Sequence, residues 1–169
     1  MQKPKKVAAE FFAQGYRLSG TYVSLKRLMA DEIYDPTTNY LTIENAYLSP
    51  IMNPAKITAH YNMLLFDKSN LDLVLTTNKR DGLRRDQTYG LGQYNFRIYL
   101  IIPFFEVFGT LYLSTRHFIP RTFLSNDAGT YITLFDATVR STFNTEITYA
   151  GGAALINRAN ISFFGEKAG

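Results

Sequence analysis

The chain of 169 residues contains no cysteine and no tryptophan, and it has only two histidines. The absence of cysteine excludes a disulfide framework, a thiolate metal site and a cysteine nucleophile. A small cysteine-free chain is most typical of the cytoplasm, which is the location we predict.

Long apolar segments are also missing. The longest apolar run, residues 99–105, contains Pro103 and is far too short to span a bilayer. The start of the chain, residues 1–6, is basic, but no apolar core of a signal peptide follows it. The sequence therefore predicts no membrane span.

Charge is sparse and nearly balanced. Charged residues make up 19% of the chain and the net charge is +4, which permits contact with an anionic surface without requiring it. Much of the positive excess lies in two places, Lys3, Lys5 and Lys6 near the start and Lys79, Arg80, Arg84 and Arg85 in the middle.

Aromatic residues are abundant. The chain has 12 Tyr and 13 Phe, and 46% of its residues are hydrophobic, a composition that favours strands over helices. Two very small domains cannot bury 25 large aromatic side chains in their own cores. Some must therefore lie between the two units or on an outer face, where aromatic residues are typical of protein interfaces.

Three sequence blocks recur in the same order. Residues 16–23 match 105–112, residues 40–48 match 131–139, and residues 65–71 match 155–161, with offsets of 89, 91 and 90. A nearly constant offset indicates an internal duplication. The residues that mark the repeat are Gly20 and Gly109, Asn45 and Asp136, and Lys68 and Arg158.

Each copy is predicted to contain five strands and one short helix. Strands over 7–13 and 16–24 precede a helical pattern over 25–33, and strands over 40–48, 57–66 and 71–76 follow it. The second copy repeats this order from 96–102, with a short helix at 120–124. Gly20 and Gly109 are typical of a bulge or bend, and Gly151-Gly152 of a bulge or loop.

The predicted fold is mainly β, with two tandem five-stranded small barrels, because closure removes the unprotected edges of a small sheet. Each barrel carries its short helix between strands 2 and 3. The predicted boundaries are residues 1–76 for the first barrel, 77–94 for a basic linker and 95–169 for the second barrel.

The motifs resemble two groups of small β-domains. The order of elements resembles that of Sm-like barrels. A Gly-Thr-apolar motif in a strand is followed by an amphipathic insertion and by a strand ending in Asn45-Ala46 or Asp136-Ala137. Residues 65–71 then resemble the strand, tight turn and strand of the second Sm motif. Sm-like proteins carry Arg-Gly or Lys-Gly in the last turn, where this chain has Asp67-Lys68 and Asn157-Arg158. A family of small uncharacterised bacterial β-domains is more similar. Both resemblances imply a fold and no activity.

No residue set points to catalysis. His60 and His117 occupy non-equivalent positions and have no second histidine or cysteine for a metal set. No nucleophile elbow, P-loop or zinc-protease motif occurs. The acidic residues Asp31, Glu32, Asp67, Asp72 and Asp136 fit turn, cap or solvent positions. We therefore predict no enzyme activity, no cofactor and no metal.

The central basic loop is compatible with several hypotheses about its function. Lys79, Arg80, Arg84, Arg85 and Tyr89 could contact an anion or nucleic acid through phosphate pairing and stacking, although such charge runs are commonly solvated loops. The spacing of Arg80 and Arg84 also resembles the arginine pair of cyclic-dinucleotide-binding barrels, but the accompanying Asp/Asn-x-Ser-x-x-Gly stretch is missing.

The sequence favours a structural or scaffold protein that assembles through aromatic barrel faces with itself or with another protein. The alternative is a nucleic-acid-binding module that uses the central loop. Small-ligand sensing is a third hypothesis.

Overall fold

The computed structural model describes residues 1–87, 92–127 and 129–169. Its strands are β1 (Lys5–Ala13), β2 (Tyr16–Ser24), β3 (Tyr40–Pro50), β4 (Ala59–Asp67), β5 (Leu71–Thr76), β6 (Tyr94–Ile102), β7 (Phe105–Leu113), β8 (Tyr131–Ser141), β9 (Thr148–Asn157) and β10 (Phe163–Glu166). The helices are α1 (Met29–Tyr34) and α2 (Pro120–Thr122), and α2 continues as a π-helical turn, Phe123–Asp127. Three 3₁₀ turns, Lys68–Asn70, Lys79–Gly82 and Arg158–Asn160, complete the described elements.

The prediction of a mainly β chain with only short helices is confirmed. Every strand pairing is antiparallel, and the strand order is β10-β6-β7-β8-β9-β5-β1-β2-β3-β4. The strands of the first half lie in the order 5-1-2-3-4, and the strands of the second half repeat that order. A direct pairing of β5 with β9 joins the two halves.

The prediction of two separately closed barrels is not confirmed. Within the described ranges, the ten strands form one open sheet that ends at β10 and β4. The reason lies in β5, which pairs with β1 on one side and with β9 of the other half on the other side. No edge of β5 is left to close the first half on its own β4.

The short helices lie between strands 2 and 3 of each half. Helix α1 begins at Met29, later than the predicted residue 25, because the Ser24 hydroxyl accepts hydrogen bonds from the Lys26 and Arg27 amides and holds them in a turn. Its apolar side buries Met29, Ala30 and Ile33. Pro120 occupies the start of α2, where its missing N–H is tolerated.

Two hydrophobic cores lie on opposite sides of the joint between β5 and β9. Leu73, Leu75, Ala154 and Ile156 belong to the core of the second half, whereas Val74 and Leu155 belong to the core of the first half. Neighbouring residues of a strand point to opposite faces. Both faces of the sheet are therefore covered at the joint.

Gly151 and Gly152 lie inside β9 rather than in the predicted bulge or loop. A Cβ on Gly152 would lie 2.5 Å from the backbone nitrogen of Lys79, and one on Gly151 would collide with the carbonyl oxygen of Thr76. The glycines thus allow the chain after β5 to cross β9 closely.

No helix among the described residues is long and apolar enough to cross a membrane. The cytoplasmic location stays a prediction.

Candidate functional sites

The central basic segment lies against both halves of the sheet. The Lys79 ammonium forms an ion pair with Asp136 of β8 at 2.7 Å, and Gly82 packs against Ala153 of β9. Arg84 lies over the ring of Tyr34 in α1, with its guanidinium carbon 4.3 Å from the ring centre. These contacts hold residues 79–84 in place, so this part of the segment differs from a freely solvated loop.

Of the residues predicted to form one anionic-ligand surface, Arg84 and Arg85 line the same groove, whereas Lys79 pairs with Asp136. Lys79 points to β8 of the second half, whereas Arg84 lies against α1 of the first half and Arg80 is exposed. The exposed Arg85 donates its backbone amide to the Asp31 carboxylate at 3.1 Å. Tyr89 lies outside the described residues.

A groove of about 480 Å³ lies between α1 and this segment. Its lining carries both signs of charge, with the cations Lys26, Arg27, Arg84 and Arg85 and the carboxylates Asp31, Asp35 and Asp86. Arg27 pairs with Asp35 at 2.6 Å. Hydrogen bonds from the hydroxyl and amide of Thr37, and then from Arg27, hold the pKa of Asp35 below its ordinary value, so this carboxylate stays charged. Most of the positive charge is therefore compensated within the groove itself.

The residues that mark the repeat occupy matching local structures. Gly20 and Gly109 each face an irregularity in the pairing of strands 2 and 3, where Asn45 has a φ of 50° and Asp136 a φ of 49°. A side chain at either glycine would crowd the facing strand, because its Cβ would lie 2.6 Å from Ile43 Cγ2 or 2.8 Å from Leu134 Cβ. These residues shape a bulge.

Lys68 and Arg158 also have matching roles. The Lys68 ammonium donates to the carbonyl oxygens of Glu32 and Asp35 at the end of α1, at 2.7 and 2.6 Å. The Arg158 guanidinium donates to the carbonyl oxygen of Leu124 in the turn after α2, at 2.8 Å. In each half a basic residue of the 3₁₀ turn thus satisfies carbonyl groups that a helix end leaves without intrahelical partners.

The acidic residues have structural partners. Asp67 accepts hydrogen bonds from the amide and hydroxyl of Ser69, and Asp72 accepts one from the Asn160 amide at 2.6 Å. Burial raises the pKa of Asp72, while hydrogen bonds from the Asn160 side chain and from the Gln14 backbone oppose this rise. Glu32 is bonded to the hydroxyl of Tyr22.

The two histidines lie in different surroundings and do not form a metal site with each other. His60 stacks on Tyr47, with ring centres 4.2 Å apart, and its Nε2 lies 2.9 Å from the amide oxygen of Asn45. His117 is exposed in the loop before α2. Across the described ranges, no group of three or more His, Asp or Glu residues is placed to hold a metal ion.

The two outer strands of the sheet expose large apolar side chains. On β4 and just before it these are Ile57, Tyr61, Met63 and Leu65, and on β10 it is Phe163. Beside β4 an apolar groove of about 340 Å³ is lined by Phe11, Ala13, Tyr16, Leu18, Leu48, Tyr61, Leu64, Leu65 and Phe66. Beside β10 a second groove, of about 660 Å³, includes Tyr99, Ile101, Phe108, Phe163 and Phe164.

We predicted surplus aromatic residues on an outer face, but not their position at these edges. A signal for β4 exists, since Met63-Leu64-Leu65-Phe66 is apolar at four consecutive positions. A strand with one solvated face alternates apolar and polar residues. An apolar run of this kind indicates a strand that is buried on both faces. In the single chain, however, Met63 and Leu65 are exposed.

No family model, curated protein or solved structure matches this chain.

Proposed function

We propose that this chain is a non-enzymatic structural protein that assembles with itself through the outer strands of its sheet. The observation that carries the proposal is the exposure of large apolar side chains on both end strands, where Leu65 of β4 is 64% exposed and Phe163 of β10 is 66% exposed. Unpaired strand edges are templates for pairing, and proteins that remain monomeric usually protect them with charge, proline or a cover. Here an apolar groove flanks β4. The groove beside β10 is lined mainly by apolar side chains, together with the charged Arg140, Glu166 and Lys167.

The proposal includes the predicted duplication. The two halves share one strand order and place their helices, bulges and 3₁₀ turns at equivalent positions, which supports a descent from one five-stranded unit. Each unit is a barrel-like five-stranded sheet in this proposal, and its free edge pairs with a strand of a neighbouring unit. The boundaries at 1–76, 77–94 and 95–169 stay predictions, as does the similarity to Sm-like domains.

The mass in solution tests this function. Light scattering coupled to size-exclusion chromatography would be run at about 0.1 M and about 1 M NaCl, since the higher concentration screens exposed charges. Apolar assembly predicts a mass above the 19.2 kDa of one chain at both salt concentrations. The double variant Arg84→Glu, Arg85→Glu is the matched control, and we expect it to assemble as the parent does. A 19.2 kDa species throughout contradicts the proposal.

A second candidate function is nucleic-acid binding, which the convergence of Lys26, Arg27, Arg84 and Arg85 on one groove favours. The three carboxylates in the same groove weigh against it. Binding of a fluorescent oligonucleotide that weakens steeply with salt, and further in the Arg84→Glu, Arg85→Glu variant, would support this function. Equal binding by that variant and the parent would exclude this groove.

A further inference from the structure

The joint between β5 and β9 provides a pattern for a contact between molecules. At this joint Leu73 pairs with Ile156, Val74 with Leu155, and Leu75 with Ala154. The fifth strand of the first half thus pairs with the fourth strand of the second half. Among the described residues, the strands that pair on one side only are the fourth strand of the first half, β4, and the fifth strand of the second half, β10.

The two fifth strands are held by their own halves in the same register. Leu73 of β5 pairs with Phe12 of β1, and Phe163 of β10 pairs with Ile101 of β6. Phe163 therefore occupies the position in the second half that Leu73 occupies in the first. The free edge of β10 therefore corresponds to the edge of β5 that pairs with β9.

Positions that are buried at the joint are exposed at the free ends. Leu73 is fully buried, whereas its counterpart Phe163 is 66% exposed. Leu155 is fully buried, whereas its counterpart Leu65 is 64% exposed. Tyr131 is 4% exposed and its counterpart Tyr40 is 51% exposed. The free ends thus carry the apolar side chains of the joint without the strand that would cover them.

We propose that β10 of one molecule pairs with β4 of a second copy in the register of the internal joint. Phe163 then lies opposite Phe66, Phe164 opposite Leu65, and Gly165 opposite Leu64. This inference rests on the proposed function and specifies its contact. Phe163 enters the groove of about 340 Å³ beside β4, as Leu73 enters the core of the second half.

A polar contact of the joint also has a counterpart. The hydroxyl of Tyr131 donates to the carbonyl oxygen of Lys68 at 3.2 Å. In the contact between copies, the hydroxyl of Tyr40 reaches the carbonyl oxygen of Arg158 in the second molecule. The exposed Tyr40 thereby gains the burial and the hydrogen-bond partner that its counterpart already has.

This contact is head-to-tail, because the two surfaces are different. Such contacts continue from molecule to molecule, either into a closed ring or into an open chain. The length of β10 limits its pairing with β4, since β10 has four residues whereas β5 has six. The register therefore rests on Phe163 and Phe164, and on the two residues that follow them.

Two lysine variants test the contact. Leu65→Lys damages the β4 end, and Phe163→Lys damages the β10 end. We expect each variant alone to elute at the 19.2 kDa of one chain while its far-ultraviolet circular dichroism stays that of the parent. Leu25→Lys is the matched control, because Leu25 is 62% exposed and lies on neither end strand. We expect this control to assemble normally.

Mixing the two variants gives the decisive result. Leu65→Lys retains an intact β10 and Phe163→Lys retains an intact β4, so a mixture should form a one-to-one dimer of twice the chain mass. No such dimer forms if the contact joins identical surfaces. A parent that assembles while both variants assemble equally well overturns the β10–β4 contact and leaves self-assembly standing. A parent that stays monomeric overturns both.

Engineered cysteines test the register, because the chain contains none of its own. In the double variant Leu64→Cys, Gly165→Cys the two thiols lie opposite each other across the contact, and Gly165 has open space for a side chain. We expect oxidation to link copies covalently. The pair Met63→Cys, Gly165→Cys is one residue out of register and places its thiols on opposite faces, so efficient linking of this pair instead would overturn the proposed register.

Discussion

At the scale of single residues, the bulge in each half depends on one glycine and one residue with positive φ. Gly20 and Gly109 leave room for the facing strand, and Asn45 and Asp136 adopt the left-handed conformation. Asparagine and aspartate tolerate this conformation better than other non-glycine residues. This property explains why Asn and Asp are suited to the two matching positions.

We expect Gly20→Ala to lower the free energy of unfolding by about 1–3 kcal/mol, because the added methyl group would meet Ile43 Cγ2 at 2.6 Å and overpack the core. Urea denaturation followed by circular dichroism measures this change. Gly129→Ala is a suitable control, since its Cβ would meet only an ordinary contact with Tyr34 at 3.6 Å. Equal stability of the two variants would contradict the close packing at Gly20.

At the scale of elements, the short helix α1 depends on a residue that lies far from it in the sequence. Six residues form a helix too short to be stable alone in water. Its apolar side is buried in the core of the first half. The Lys68 ammonium donates hydrogen bonds to the terminal carbonyl groups of the helix and to the hydroxyl of Thr38. Burial of the Lys68 ammonium lowers its pKa, while these oxygen partners favour its charged form.

Lys68→Met should lower the free energy of unfolding by about 2–3 kcal/mol, because it leaves the carbonyl groups of Glu32 and Asp35 without a charged donor. Hydrogen exchange by mass spectrometry would show faster exchange in α1 than in the parent. Lys56→Met serves as the control, since Lys56 is exposed. Unchanged exchange in α1 of the Lys68 variant would contradict this role.

At the scale of the whole molecule, buried and partly buried tyrosines make stability sensitive to alkaline pH. Burial is the main cause that raises the pKa of Tyr22, Tyr34, Tyr131 and Tyr149, and the pKa of Tyr131 rises to about 12. A folded-state pKa above the unfolded value contributes stability that is complete below the unfolded pKa and is lost as pH rises through the folded one.

The free energy of unfolding should therefore fall between about pH 10 and about pH 12, as the tyrosines ionise first in the unfolded chain. Urea denaturation at a series of pH values measures the fall. Tyr131→Phe removes one ionising group and should make the fall shallower at the cost of the hydrogen bond to Lys68. A constant free energy across this range would mean that the buried hydroxyls do not titrate on unfolding.

Short-range patterns in the sequence were sufficient to predict most of the strands, the two short helices and the bulges at Gly20 and Gly109, but not the position of β9. Alternation of side chains is a local property of an extended chain, so β1 to β3 and β6 to β8 lie close to their predicted positions. The two residues between the predicted strands 7–13 and 16–24 form a hairpin turn, in which Gln14 and Gly15 both have positive φ. Even Pro120 marked the start of its helix.

Only the tertiary structure decided which strand covers which edge. The pairing of β5 with β9 joins residues more than 75 positions apart, and no local pattern in 71–76 distinguishes this partner from β4. The same pairing determined the place of the central segment, because Gly151 and Gly152 admit its backbone only when β9 lies beside β5. Local alternation fixes the faces of a strand, whereas the choice of neighbour depends on the side chains that both edges bury together.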